Sequence, residues 1–159
     1  MIKIIATLLT LFAFNVSHAK VNVGIILGFT GPIETLTPGM SAGAELAFNE
    51  AADSGKLLNG QSINIIKVDS TCVDSAAATS AAESLISQGV TAIMGADCSG
   101  VTGAVLSNVA VPNGVPMISP SATSPGLTTA ADNGLFFRTA PSDARGGEVL
   151  ADITSSRGI

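Results

Sequence analysis

Apolar residues in this chain fall into short dense runs that alternate with stretches where they recur every three or four positions. Val21 to Leu27 is a run rich in β-branched residues bounded by Gly28, the pattern of a buried parallel strand. Thr37-Pro38 then reads as a helix N-cap with proline at the first helical position. Met40, Ala44, Ala47, Phe48 and Ala51 follow at helical spacing as its inward stripe, up to Gly55. A second strand is expected over Ile63 to Val68, closing at Asp69. Asp74 caps a helix with Ala78, Ala81, Ala82, Leu85 and Ile86 on one face, stopped by Gly89. Thr91 to Met94 is a third strand. Ser99 can cap a third helix, with Val101, Ala104, Val105 and Asn108 on a shared face and Pro112 just beyond its end. Val115 to Ser119 and Leu135 to Arg138 read as strands four and five, and Ser142 caps a last helix running toward Arg157.

Strands alternating with helices predict an α/β fold, a doubly wound parallel sheet covered on both faces. The expected strand order is 2-1-3-4-5. Such sheets bind ligands beyond the carboxyl ends of their strands, near the switch point between strands 1 and 3. That rule selects three loops: Gly28 to Thr37, Ala96 to Gly100, and Pro120 to Pro125.

The first 19 residues fit a secretory signal instead of the fold. Lys3 supplies a positive start, Ile4 to Val16 an apolar run, and Ser17-His18-Ala19 small residues at the −3 and −1 positions of a cleavage site. The run is short for a membrane span. Lys20, not cysteine, would then begin the exported chain, so the signal leaves no thiol for a lipid anchor. The expected organisation is a signal over 1–19 and one ligand-binding lobe over 20–159.

Composition narrows the chemistry. Seven Lys and Arg against twelve Asp and Glu give a net charge of −5, which argues against a phosphate-tracking nucleic-acid binder. With 47% hydrophobic and 12% charged residues the chain can fill a core. The one histidine, His18, leaves with the signal, so no imidazole remains for general-base catalysis, a triad or zinc ligation. Gly39-Met40-Ser41-Ala42-Gly43 spells a serine-hydrolase string. That string needs a strand-to-helix elbow, and here it falls within the first turns of a helix. Neither a dinucleotide glycine fingerprint nor a P-loop lysine motif is present. The reading is of a protein that is not an enzyme and needs no cofactor. Cys72 and Cys98 read first as a disulfide; a metal site, with Asp69, Asp74 or Asp97 as further ligands, is the alternative.

The Ala96 to Gly100 loop runs into a helix start, where free N–H groups and the helix dipole favour an anion and Ser99 adds a hydroxyl. Ser119-Pro120-Ser121-Ala122-Thr123-Ser124-Pro125 adds hydroxyls and main-chain groups held by two prolines. Neutral donors of this kind suit reversible capture of a small carboxylate. Each residue also has an ordinary structural reading, as a cap or as loop chemistry.

Asp69-Ser70-Thr71-Cys72, Gly95-Ala96-Asp97-Cys98-Ser99 and Met117 to Pro125, with Gly31-Pro32 and Arg138-Thr139-Ala140, resemble the branched-chain amino-acid-binding proteins of ABC transporters, a Leu/Ile/Val-binding family with the type I periplasmic-binding fold. The resemblance runs from about Val21 to the last residue. It implies two α/β lobes that close around an amino acid, of which this chain is the N-terminal one and the second is missing. It implies that Ser99 and Thr123 hold the ligand α-carboxylate, and that the Ser121 carbonyl and Thr123 hydroxyl face the α-ammonium. It also implies a Cys72–Cys98 disulfide, worth roughly 3.5 kcal/mol in the chain-entropy model. In a 2-1-3 order the cysteine-bearing strands stand two spacings apart, roughly 9.5 Å, so their loops must lean together across strand 1. Leu36 stands where some relatives place an aromatic residue against the ligand.

The function so implied is a periplasmic solute-binding component that captures a branched-chain or related amino acid or amide and presents it to an inner-membrane ABC permease. The alternative is a ligand-sensing receptor ectodomain of the same fold. A lone lobe leaves its ligand wet, so weak or undetectable amino-acid binding is expected of these 159 residues.

Overall fold

The computed structural model describes residues 20–56 and 61–159; the proposed signal and His18 lie outside the described residues. Among the described residues five strands form one parallel sheet in the order β2-β1-β3-β4-β5. They are β1 (Val21–Leu27), β2 (Ile63–Asp69), β3 (Val90–Gly95), β4 (Met117–Ser119) and β5 (Phe136–Arg138). This is the order expected from the sequence. The central strand is buried on both faces, with Ile25, Ile26 and Leu27 wholly inaccessible, which is why its apolar run is continuous rather than alternating.

Helices α1 (Thr37–Asp53) and α2 (Ser75–Ser87) follow β1 and β2. After β3, α3 (Ser99–Val105) continues through a π-helical turn over Leu106–Ala110 into α4 (Val111–Asn113). The final helix is α5 (Asp143–Arg157). Asp74 and Ser142 cap α2 and α5 as their spacing indicated, each side chain accepting main-chain N–H bonds. Two other caps differ from expectation. Leu36, not Thr37, occupies the cap position of α1; the Thr37 hydroxyl donates to the carbonyls of Gly28 (3.1 Å) and Glu34 (3.3 Å), fastening the helix to the end of β1. Ser99 is the first helical residue of α3, after Cys98.

Pro112 lies inside the helical segment instead of beyond it. The π turn explains this, because Val111 N–H reaches back to the Leu106 carbonyl, five residues away, and the widened turn admits a proline ring before Gly114 ends the segment at φ +65°. Asn108 faces solvent; Val101, Thr102, Val105, Leu106 and Val109 form the inward face.

The face of the sheet carrying α2, α3 and the π turn is closed. Ile26, Ala78, Ala82, Leu85, Ile93, Val101, Val105 and Met117 make one buried cluster there. On the other face α1 alone among the described elements is packed, and only Thr37 and Ser41 of that helix are buried. Its expected stripe of Met40, Ala44, Phe48 and Ala51 is half-buried, and Ala47 is exposed. Beside it a groove of about 310 Å³ is lined by Ala44, Ala47, Phe48, Met94, Ile118, Pro120 and Thr139. The expectation of a sheet covered on both faces therefore holds for one face and fails over β3 to β5 on the other. Helix α5 buries none of its residues. Among the described residues no helix is long and apolar enough to cross a membrane.

Candidate functional site

The carboxyl ends of the strands bring the three sequence-selected loops together. Gly95 sets the start of the middle one. Its φ of +123° and the Ile26 carbonyl, 1.9 Å from where a Cβ would stand, leave room for no other residue. Beyond it, Cys98 is bonded to Cys72 with a Cα separation of 5.2 Å, so the sulfurs are not free for metal ligation. The two loops meet above β1 because Thr71 and Cys72 both adopt left-handed backbone (φ +58° and +68°), turning the β2 loop back across the sheet. The crossing passes over Gly28, where a Cβ would lie 3.2 Å from that of Cys72.

Asp97 organises this edge from within. Only 2% exposed, its carboxylate accepts from Gly28 N–H (2.6 Å), the Ser70 hydroxyl (3.2 Å) and Cys98 N–H (2.9 Å). Its main-chain carbonyl accepts from the Ser121 hydroxyl at 3.0 Å. Asp69 performs a similar task at the outer rim, accepting from the Thr30 hydroxyl and from the Thr30 and Thr71 N–H groups. Burial pushes the Asp69 carboxyl upward, but bonds from the Thr30 hydroxyl and from the N–H groups of Thr71, Thr30 and Phe29 outweigh it and hold its pKa below the usual range.

The β4 loop is tied down by three groups. The Ser119 hydroxyl donates to the Ala96 carbonyl and accepts from Ala122 N–H (3.0 Å). Arg138 donates to the carbonyls of Ala122 (3.2 Å) and Ser124 (2.8 Å) and to the Thr128 hydroxyl. Ser124 N–H donates to the Ser99 hydroxyl oxygen at 3.1 Å.

The hydroxyls of Ser99 and Thr123 are polarised in opposite senses. Ser99 accepts from an N–H, so its own proton stays available to an anion at the start of α3. Thr123 donates to the Asp143 carboxylate at 2.9 Å, so its oxygen is left as an acceptor. Ser121 turns its hydroxyl inward to Asp97, and among the described residues its carbonyl accepts no hydrogen bond. Asp143 is the group that sequence reasoning missed. Its N–H also donates to the Thr123 carbonyl at 3.0 Å, placing a negative charge beside the β4 loop from the first turn of α5. The structural roles of Asp97, Ser119 and Arg138 were equally invisible in the sequence, because the bonds that join one loop to another reach partners 14 to 69 residues away.

Ser41, the serine of the hydrolase-like string, is 3% exposed within α1 and donates to Glu45 at 2.6 Å. That bond and the ion pair from Lys67 to the same carboxylate lower the Glu45 pKa. Nothing at this position forms a strand-to-helix elbow.

Residues 20–159 match the family model described as periplasmic binding protein. The chain belongs to the periplasmic binding protein family. Among curated proteins it is 31% identical over 147 residues to the Leu/Ile/Val-binding protein BraC3 of Rhizobium johnstonii, an alignment covering 92% of this chain and 39% of that protein. Among solved structures, the branched-chain amino-acid transporter substrate-binding protein LivJ of Streptococcus pneumoniae in complex with isoleucine superposes with a TM-score of 0.70 at 31% identity, covering 79% of this chain and 35% of that one. A solute-binding protein of an R. palustris ABC transporter in complex with benzoate gives a TM-score of 0.75 at 28% identity, covering 89% and 38%. The chain thus spans less than half the length of each of these relatives and carries only part of the type I periplasmic binding fold.

Proposed function

We propose that this chain is the N-terminal ligand-binding lobe of an exported solute-binding protein. It would capture an amino acid, branched-chain or a related amino acid or amide, and pass it to an inner-membrane ABC permease without catalysing a reaction. The observation that carries this reading is the opposed polarity of Ser99 and Thr123. A free hydroxyl proton at a helix start suits the carboxylate shared by amino acids and benzoates. An acceptor oxygen beside the Asp143 carboxylate and the Ser121 carbonyl suits an ammonium, which benzoates lack. In this reading Thr123 serves the ammonium, and the carboxylate falls to Ser99 and to main-chain N–H groups. The open apolar groove beside α1 and the greater length of the relatives support a second lobe and further packing supplied by additional chain. Lobe closure would then bury the ligand and strengthen each of these bonds.

Calorimetry on the two-lobed protein with isoleucine and with benzoate tests the reading. Ser99→Ala is expected to weaken isoleucine binding about tenfold, the loss of one charge-assisted hydrogen bond. Tighter binding of benzoate than of every amino acid tried would overturn the amino-acid assignment while leaving the carboxylate site intact.

A further inference from the structure

We propose that Asp97 is the positioning residue of the ligand rim, holding the Ser99 hydroxyl in place before any ligand arrives; this rests on the reading of Ser99 as a carboxylate donor. Four loops converge at the carboxyl edge of the sheet, and Asp97 touches all of them. Its side chain takes the N–H that ends β1, a hydroxyl after β2 and the N–H that opens α3, while its carbonyl takes the Ser121 hydroxyl after β4.

A buried carboxylate with three donors is fixed in one rotamer, because any rotation strands a desolvated charge. The Cys98 N–H that it accepts belongs to the residue before Ser99. The direction in which α3 leaves the sheet, and with it the Ser99 side chain, is therefore set by Asp97. The disulfide joins only two of these loops. Asp97 adds β1 and β4, so a rim that would otherwise order itself on binding is ordered beforehand, and the ligand is spared that cost.

Asparagine at this position keeps the shape but must turn an amide N–H₂ toward either the Gly28 or the Cys98 N–H, setting donor against donor. The reporting group is the Ser124 amide, which bonds to Ser99 and is not among the donors to the Asp97 carboxylate. In Asp97→Asn of the full chain, hydrogen exchange at Ser124 is expected to accelerate at least about tenfold. Exchange at Ile93, bonded within the sheet to the Pro116 carbonyl, should stay unchanged. Equal acceleration at Ile93 and Ser124 would mean that Asp97 only stabilises the fold, and an unchanged Ser124 would mean that Ser99 is placed without it; either overturns the proposal.

Should the variant not fold, Ser70→Ala removes a single donor to Asp97 and is expected to move Ser124 alone, in the same direction and by less. Isoleucine added to the two-lobed protein, with the Ser99 amide followed by NMR, separates the two readings. Absence of any response there counts against the amino-acid function, and the exchange pattern still decides the role of Asp97.

Discussion

The two faces of one sheet are finished to different degrees. Along β4, Met117 points into the closed face and is 1% exposed, while its neighbour Ile118 on the open face is 43% exposed. On β5, Phe136 packs against the buried cluster and Phe137 is 55% exposed. The side chains on the two faces are chemically alike. What distinguishes them is whether a helix lies opposite, and the chain described supplies two helices and a π turn to one face but a single helix to the other. Apolar character therefore records a surface that has to be covered, not one that is covered.

Substitutions can break or sharpen this contrast. The largest effect is expected at Leu85, fully buried against the closed face: Leu85→Ala should cost roughly 2–5 kcal/mol, toward the upper end, in urea unfolding. Next comes the cross-link above β1. The double change Cys72→Ser with Cys98→Ser should lower stability by about 3.5 kcal/mol, read in the same way.

A smaller effect belongs to Asp69, whose folded pKa lies below its unfolded one. Its stabilisation is present above the unfolded value of about 3.9 and is lost as pH falls through the lower folded value. Glu45 acts with the same sign. Asp69→Asn should cost about 1 kcal/mol near neutrality and flatten the acid limb of a thermal-stability profile. The smallest change is expected on the open face, where Ile118→Ala should shift stability by less than about 1 kcal/mol. A loss there rivalling Leu85→Ala would show that the face is packed in solution after all.

Much of the fold was legible because it is local. The apolar runs of β1 and β2, the Asp74 and Ser142 caps and the Ala78, Ala82, Leu85 stripe each follow from a few adjacent residues. The Thr37 cap failed for the opposite reason: its hydroxyl found the Gly28 carbonyl, a competitor that no helix rule contains. Pro112 likewise read as a stop because a π turn has no distinctive composition. At the candidate site, Ser99, Ser121 and Thr123 were proposed through their motif. Which of their atoms donate and which accept depends on Ser124, Asp97 and Asp143.

The amino-acid sequence alone settled the order of strands and helices, the parallel sheet and the loops at its carboxyl edge, since periodicity, capping and the handedness of crossovers act over short stretches of chain. Tertiary structure decided the left-handed turn that carries Cys72 over Gly28 to the expected disulfide, the convergence of four loops on Asp97 and the exposure of Ile118 and Phe137. Each of these depends on groups distant in sequence being brought within bonding range, or on a covering element being present or absent, and neither is recorded in any local pattern.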